Sequence, residues 1–200
     1  MARYSGEKKS GKLGDVIYSS WNGRPYTRRR PETVTNPQTE VQQAHRHAFA
    51  EISRLSSAMK EGHKVGLHWQ AVREKLNTHS VFRSLNKGCF DANGICYPRI
   101  HISKGSVDGA GITSAGIDAE GMVRVTFDGQ STPENQRDKF FLFVFCPDLC
   151  AGLFIKPVAR TVGVVSAPVL EEWRGHPLHL YAFMKDDRGR TSETVYVGQF

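Results

Sequence analysis

Long apolar runs are what this sequence lacks most, and their absence excludes a helical membrane span. No run approaches the roughly 20 residues that such a span requires. The longest, Phe140 to Cys146, suits a buried strand. The opening MARYSGEKKSGK has no apolar core and does not read as a secretory signal. The expectation is a cytoplasmic protein, or one carried out in a particle. Cysteine is scarce: Cys89, Cys96, Cys146 and Cys150, with no Cys-x-x-Cys pair. Without a secretion signal these read as reduced and mostly buried thiols. Their spacing does not suit a structural zinc site, so no metal is expected. The eight histidines show no H-E-x-x-H, and there is no G-x-S-x-G. GAGITSAG lacks the Lys-Ser/Thr ending of a phosphate loop and reads as a strand between glycine turns. No nucleophile, base and orienter can be paired, so a non-enzyme without a cofactor is expected.

What is present is positive charge, unevenly placed. Residues 1–90 hold 16 Lys/Arg against 7 Asp/Glu, a balance of +9, and residues 91–200 hold 11 against 13, a balance of −2; together they give the net +7. A basic first half points to an anionic partner, either a nucleic-acid backbone or an acidic surface of another protein subunit. A solvated surface is the plainer alternative.

The residue pattern organises the chain into two parts. Residues 1–12 read as a flexible tail. DVIYSSW and RPYTRRR then flank Asn22-Gly23, a pair suited to a two-residue hairpin turn because both positions take positive φ. That turn sets Trp21 against Arg24, Ser19 against Tyr26 and Ile17 against Arg28 on one face. Asn36-Pro37 reads as the cap and first position of a helix. Its apolar stripe is Val41, His45, Ala48, Phe49, Ile52, Leu55 and Met59, with Gly62 as its end. His45 reads as a hydrogen-bonded core residue, and Phe49, Ile52 and Leu55 as buried. Two further helices cover about 67–76 and 81–87, the latter capped at Thr78 or Ser80.

After Gly88 the pattern changes to short strands: Arg99–Ser103, Gly111–Gly116, Met122–Phe127, Lys139–Cys146, Gly152–Val158, Thr161–Ser166, Leu178–Lys185 and Ser192–Gly198. Asp108-Gly109, Asp128-Gly129, Pro147-Asp148 and Arg188-Gly189 punctuate them. Strands at this spacing imply an antiparallel sandwich. The expected fold is α+β: a basic hairpin and helical unit over 1–95, then an immunoglobulin- or fibronectin-like β-sandwich over 96–200, able to fold alone from about Tyr97.

The binding candidates follow from the charge. Trp21 and Tyr26 with Arg24 and Arg28 read as rings that stack on bases and guanidinium groups that take phosphates. The alternative is that the aromatics belong to a core. Consecutive strand residues point to opposite faces, so Arg28, Arg29 and Arg30 cannot all be buried by one surface. They are expected to project near the positive start of the helix as one anion-attracting spot. Lys12, Arg46 and Arg54 complete the basic set, on the tail and the polar stripe of the helix.

SGKLGDVIYSSWNGRPYTRRRP, NPQTEVQQAHRHAF, YPRIHISKGSVDGA and LHLYAFMKDDRGRTSETVYVG together resemble an uncharacterised bacterial domain family of short, basic proteins without signals. The resemblance is nearly full-length. Members typically carry Lys where this chain has Asn22. The resemblance implies a fold and transfers no mechanism. The last segment is also similar to the final hairpin of fibronectin type III domains, through Tyr181, Ala182, Asp187, Gly189 and Ser192. NPxTxxQxxxR is similar to short helix starts in phage structural proteins. The expectation is a structural or assembly protein, an oligomer or part of a larger, phage-like particle; the alternative is a nucleic-acid-binding protein using residues 1–60.

Overall fold

Asn22 and Gly23 adopt φ of 48° and 79°, the left-handed turn their sequence favours. The protein's structure is a computed structural model that describes residues 3–5, 8–33, 36, 38–91 and 94–200. The chain divides into two compact units, Met1–Gln43 and Ala44–Phe200.

In the first unit the turn joins β3 (Val16–Trp21) to β4 (Arg24–Arg29), preceded by β1 (Arg3–Ser5) and β2 (Lys8–Leu13). They form one antiparallel sheet in the order β1-β2-β3-β4. The register pairs Trp21 with Arg24, Ser19 with Tyr26 and Ile17 with Arg28, as the turn dictates. The described parts of the expected tail are therefore strands, held by the ladder to β3; residues 1, 2, 6 and 7 lie outside the described residues.

The first helix, α1, is Glu40–Ala58. It starts later than expected because Thr39 caps it. The Gln43 N–H donates to the Thr39 carbonyl at 2.9 Å and the Gln42 N–H to its hydroxyl at 3.4 Å. Pro37 lies outside the described residues. Then come α2 (Lys60–Gly66), α3 (His68–Glu74) and α4 (Thr78–Asn86). Gly62 ends nothing and sits inside α2, where a Cβ would stand 3.2 Å from the Phe143 ring. Asn77, rather than Thr78 or Ser80, caps α4, accepting the Ser80 N–H at 2.8 Å. No helix among the described residues is long and apolar enough to cross a membrane.

Only the second half of the α1 stripe is covered. Ile52, Leu55 and Met59 are buried, whereas Phe49 is 59% and Val41 72% exposed, and His45 is exposed as well. Periodicity identifies the apolar face; nothing in it says what covers that face. Phe49→Ala is therefore expected to change stability by less than about 1 kcal/mol, and Ile52→Ala to cost about 2–5 kcal/mol, as read from urea midpoints.

A ribbon of β5 (Phe90–Asp91) and β6 (Gly94–Ile95) follows, then β7 (Ile112–Ile117), β8 (Met122–Phe127), β9 (Lys139–Cys146), β10 (Ala151–Ala159), β11 (Val164–Pro168), β12 (His179–Lys185) and β13 (Val195–Gln199). Arg99–Ser103 is not a strand: Tyr97–Arg99 is a 3-10 turn. The N–H groups of Ile102 and Ser103 go to the Thr194 hydroxyl at 2.9 and 2.7 Å instead of to a ladder. The front of the expected 161–166 strand is likewise a 3-10 turn, Arg160–Val162. Two antiparallel sheets result, β10-β9-β12-β13 and β11-β8-β7, so the fold is mixed α+β.

Side-chain alternation along β9 and β12 builds two cores. Phe140, Leu142, Val144, Leu180, Ala182 and Met184 join Val123, Val125, Phe127 and Val165 of the three-stranded sheet in one apolar cluster. Phe143, Phe145, Tyr181 and Phe183, on the other face, meet Ile52, Leu55, Met59, Leu67 and Phe82 of the helices in a second. A division of the chain at 95/96 passes through this second cluster. Of the four cysteines, Cys89 and Cys146 are buried, Cys96 is half-buried and Cys150 is exposed, all as free thiols.

Candidate functional site

The sheet of the first unit gathers five of the nine residues singled out from sequence. Lys12 pairs with Ile17, Ile17 with Arg28, Ser19 with Tyr26 and Trp21 with Arg24. Directly paired residues share a face, and so do residues two apart. One face therefore carries Lys12, Trp21, Arg24, Tyr26 and Arg28 around Ile17. Trp21 is 69% and Tyr26 47% exposed, so neither ring is buried within the first unit. Every side chain described between residues 10 and 33 is exposed or half-buried. The face offers two flat rings between three cations, an arrangement that stacks on planar groups and takes carboxylates or phosphates.

The other candidates do not join it. Arg29 lies on the opposite face and reaches Glu32 at 3.5 Å. Arg30 follows the strand, its N–H bonded to the Asp15 carbonyl at 2.7 Å. The three arginines thus do not make one spot, and α1 begins only at Glu40 with that glutamate in its first turn. Arg46 and Arg54 belong to the second unit, where Arg54 pairs with Glu51 at 2.8 Å.

The second unit holds sites that sequence reasoning missed. A groove of about 360 Å³ between α1 and α4 is lined by Ala48, Phe49 and Ile52 with Arg83 and Lys87; the Arg83 guanidinium lies 5.2 Å over the Phe49 ring. A polar cleft of about 500 Å³ takes Asp108, Glu134, Asp138, Asp186 and Asp187 into its walls. These acids are scattered over 80 positions with no spacing to reveal them; the Asp186-Asp187 pair and the Asp108-Gly109 turn were the available signals.

A serine between two histidines is also present. Ser56 Oγ lies 2.9 Å from His79 Nδ1 and 3.4 Å from His63 Nε2. At 1% exposure Ser56 is sealed from any substrate, and the trio ties α1, α2 and α4 together. Burial holds the His63 ring down at about 4, against the ordinary 6.5, outweighing its bond to the Ser56 carbonyl.

With this geometry in hand, comparison with known proteins is decisive for family. The model of a family of unknown function, DUF6266, matches residues 8–198. The chain belongs to DUF6266. The aromatic-cationic face, the groove and the acidic cleft all fall within the DUF6266 match. Neither a search of curated proteins nor one of solved structures found a match.

Proposed function

We propose that this DUF6266 chain is a non-catalytic assembly protein, whose first unit docks on a neighbouring subunit or larger particle while its second unit is a rigid body. One observation carries this reading. The first unit is a four-stranded sheet in which none of the side chains described between residues 10 and 33 is buried. A sheet needs a packed face to persist in water; a partner supplies it here. The strand order of the second unit supports a sandwich of the fibronectin or immunoglobulin kind for the body. Counting from β7, the first, second and fifth strands share one sheet and the third, fourth, sixth and seventh the other. Relative to immunoglobulin constant domains the fourth strand has moved to the sheet of the third. The short turn at 147–150 between β9 and β10, with Cys150 at a φ of 47°, favours that placement.

The aromatic rings among Lys12, Arg24 and Arg28 favour a second reading, binding of single-stranded nucleic acid. Salt separates the two. Light scattering on purified protein, with ultraviolet absorbance to detect nucleic acid, is expected to show an oligomer free of nucleic acid that persists in part at high salt through its apolar contacts. A monomer that binds nucleic acid and releases it steeply as salt rises would support the second reading instead.

A further inference from the structure

The acidic cleft of the second unit and the basic face of the first are opposite in charge. We propose that the cleft receives the hairpin face of a second copy of this chain, with Arg24, Arg28 and Lys12 entering among Asp108, Glu134, Asp138 and Asp187. The proposal rests on the assembly reading above and names its partner.

Within the cleft, Arg190 holds Asp186 at 2.6 Å, and Arg188 stands in the wall. No ion pair or hydrogen bond from a described residue engages the carboxylates of Asp108, Glu134 or Asp187. Asp138 is a separate observation that points to a ligand. It is 4% exposed and forms part of the cleft wall; its carbonyl takes the Arg160 N–H at 2.9 Å, while no hydrogen bond from a described residue reaches its carboxylate. Arg160 Nη2 forms a long ion pair with the carboxylate at 3.7 Å, beyond hydrogen-bond distance, and donates its hydrogen bond to the Asp108 carbonyl. A buried ion pair this long recovers only part of the cost of taking its charges out of water. The surroundings of Asp138 add to the cost: burial raises its pKa, Arg160 opposes that, and Asp186, Asp187 and Asp108 reinforce it. An arriving cation with several N–H donors relieves all of these at once.

Among the described residues no three of His, Cys, Asp and Glu are placed to hold a metal ion. A cleft this wide suits a planar guanidinium or an ammonium group on a long stem better. A face on one copy meeting a cleft on the next is a heterologous contact. It leaves one unused face and one unused cleft, and so propagates into a ring or a filament.

The test is complementation. The hairpin variant is Arg24→Glu with Arg28→Glu; the cleft variant is Asp108→Asn, Glu134→Gln and Asp187→Asn, all exposed positions. Melting curves check that each folds. By light scattering, wild type is expected above the 22.4 kDa of one chain, and each variant alone at that mass. Their equimolar mixture should form a 1:1 heterodimer, because one intact face and one intact cleft remain. Asp138→Asn, if folded, should weaken wild-type association. If wild type associates but the cleft variant does so equally, or the mixture stays monomeric, the proposal falls and the assembly reading stands. If wild type is monomeric throughout, or associates only through bound nucleic acid, both fall.

Discussion

Phe143→Ala is expected to cost about 3–5 kcal/mol, at the upper end for a single core truncation. The ring is fully buried and is the point where the sheet meets the helices. On one side lies Gly62 of α2, and on the other Gly152 of β10, where an added Cβ would overlap the ring. Phe154 meets it edge-on with centroids 5.2 Å apart. Two glycines and a T-shaped partner shape a slot that little else fills, and rigid elements on both sides cannot collapse into the cavity left by alanine. Chemical denaturation followed by circular dichroism checks this; a loss below about 1 kcal/mol would show that the helices are held some other way. The same packing predicts the behaviour of a fragment starting at Tyr97. It would expose Phe143, Phe145, Tyr181 and Phe183 together, so it is expected to aggregate or to lack a cooperative melt.

Acid is expected to destabilise the protein by about 3 kcal/mol through His63 alone. The ring is fully buried. Nε2–H donates to the Ser56 carbonyl at 2.8 Å, and Nδ1 is buried without a partner. Protonation would add an unsatisfied charged donor 4.6 Å, centroid to centroid, from the His79 ring. Burial is the main cause of the depressed value; His79 and Lys60 add to it, and the Ser56 carbonyl and Glu61 oppose it. The sign follows from linkage. The folded pKa of about 4 lies below the ordinary 6.5, so the unfolded chain takes up the proton first. The contribution is complete above pH 6.5 and disappears as pH falls through about 4. His179, also lowered by burial, acts in the same direction. Urea midpoints of wild type and His63→Phe, each across this window, isolate the effect. The variant should lose distinctly less stability on acidification, whatever its level at neutral pH. Parallel pH profiles would rule His63 out as the cause.

The parts of this fold that are legible in the sequence are those that local physics determines. Asn22-Gly23 admits one kind of turn, which fixes every pair from Val16/Arg29 to Trp21/Arg24. The alternating run Met122–Phe127 and the run Lys139–Cys146, continuously apolar from Phe140, are strands at those bounds. Distant partners set the rest. Segment 100–103 becomes irregular because the Thr194 hydroxyl, some 90 residues away, satisfies its backbone. Phe49 is on the apolar stripe yet exposed, since its helix face meets a core only from Ile52 onward. Alternation likewise separates Arg28 from Arg29, a consequence available from sequence once the turn was set. The acidic cleft depends on residues brought together by the folding of both sheets, which no spacing announces.

In the proposed assembly, the exposed sheet of the first unit docks on another subunit. Amide hydrogen exchange read by mass spectrometry over a range of protein concentrations tests it most directly. Protection of residues 16–29 is expected to rise with concentration, in step with the mass from light scattering, and to be lost in Arg24→Glu with Arg28→Glu. Exchange of those residues that is independent of concentration, while the protein associates through other segments or not at all, would contradict the account.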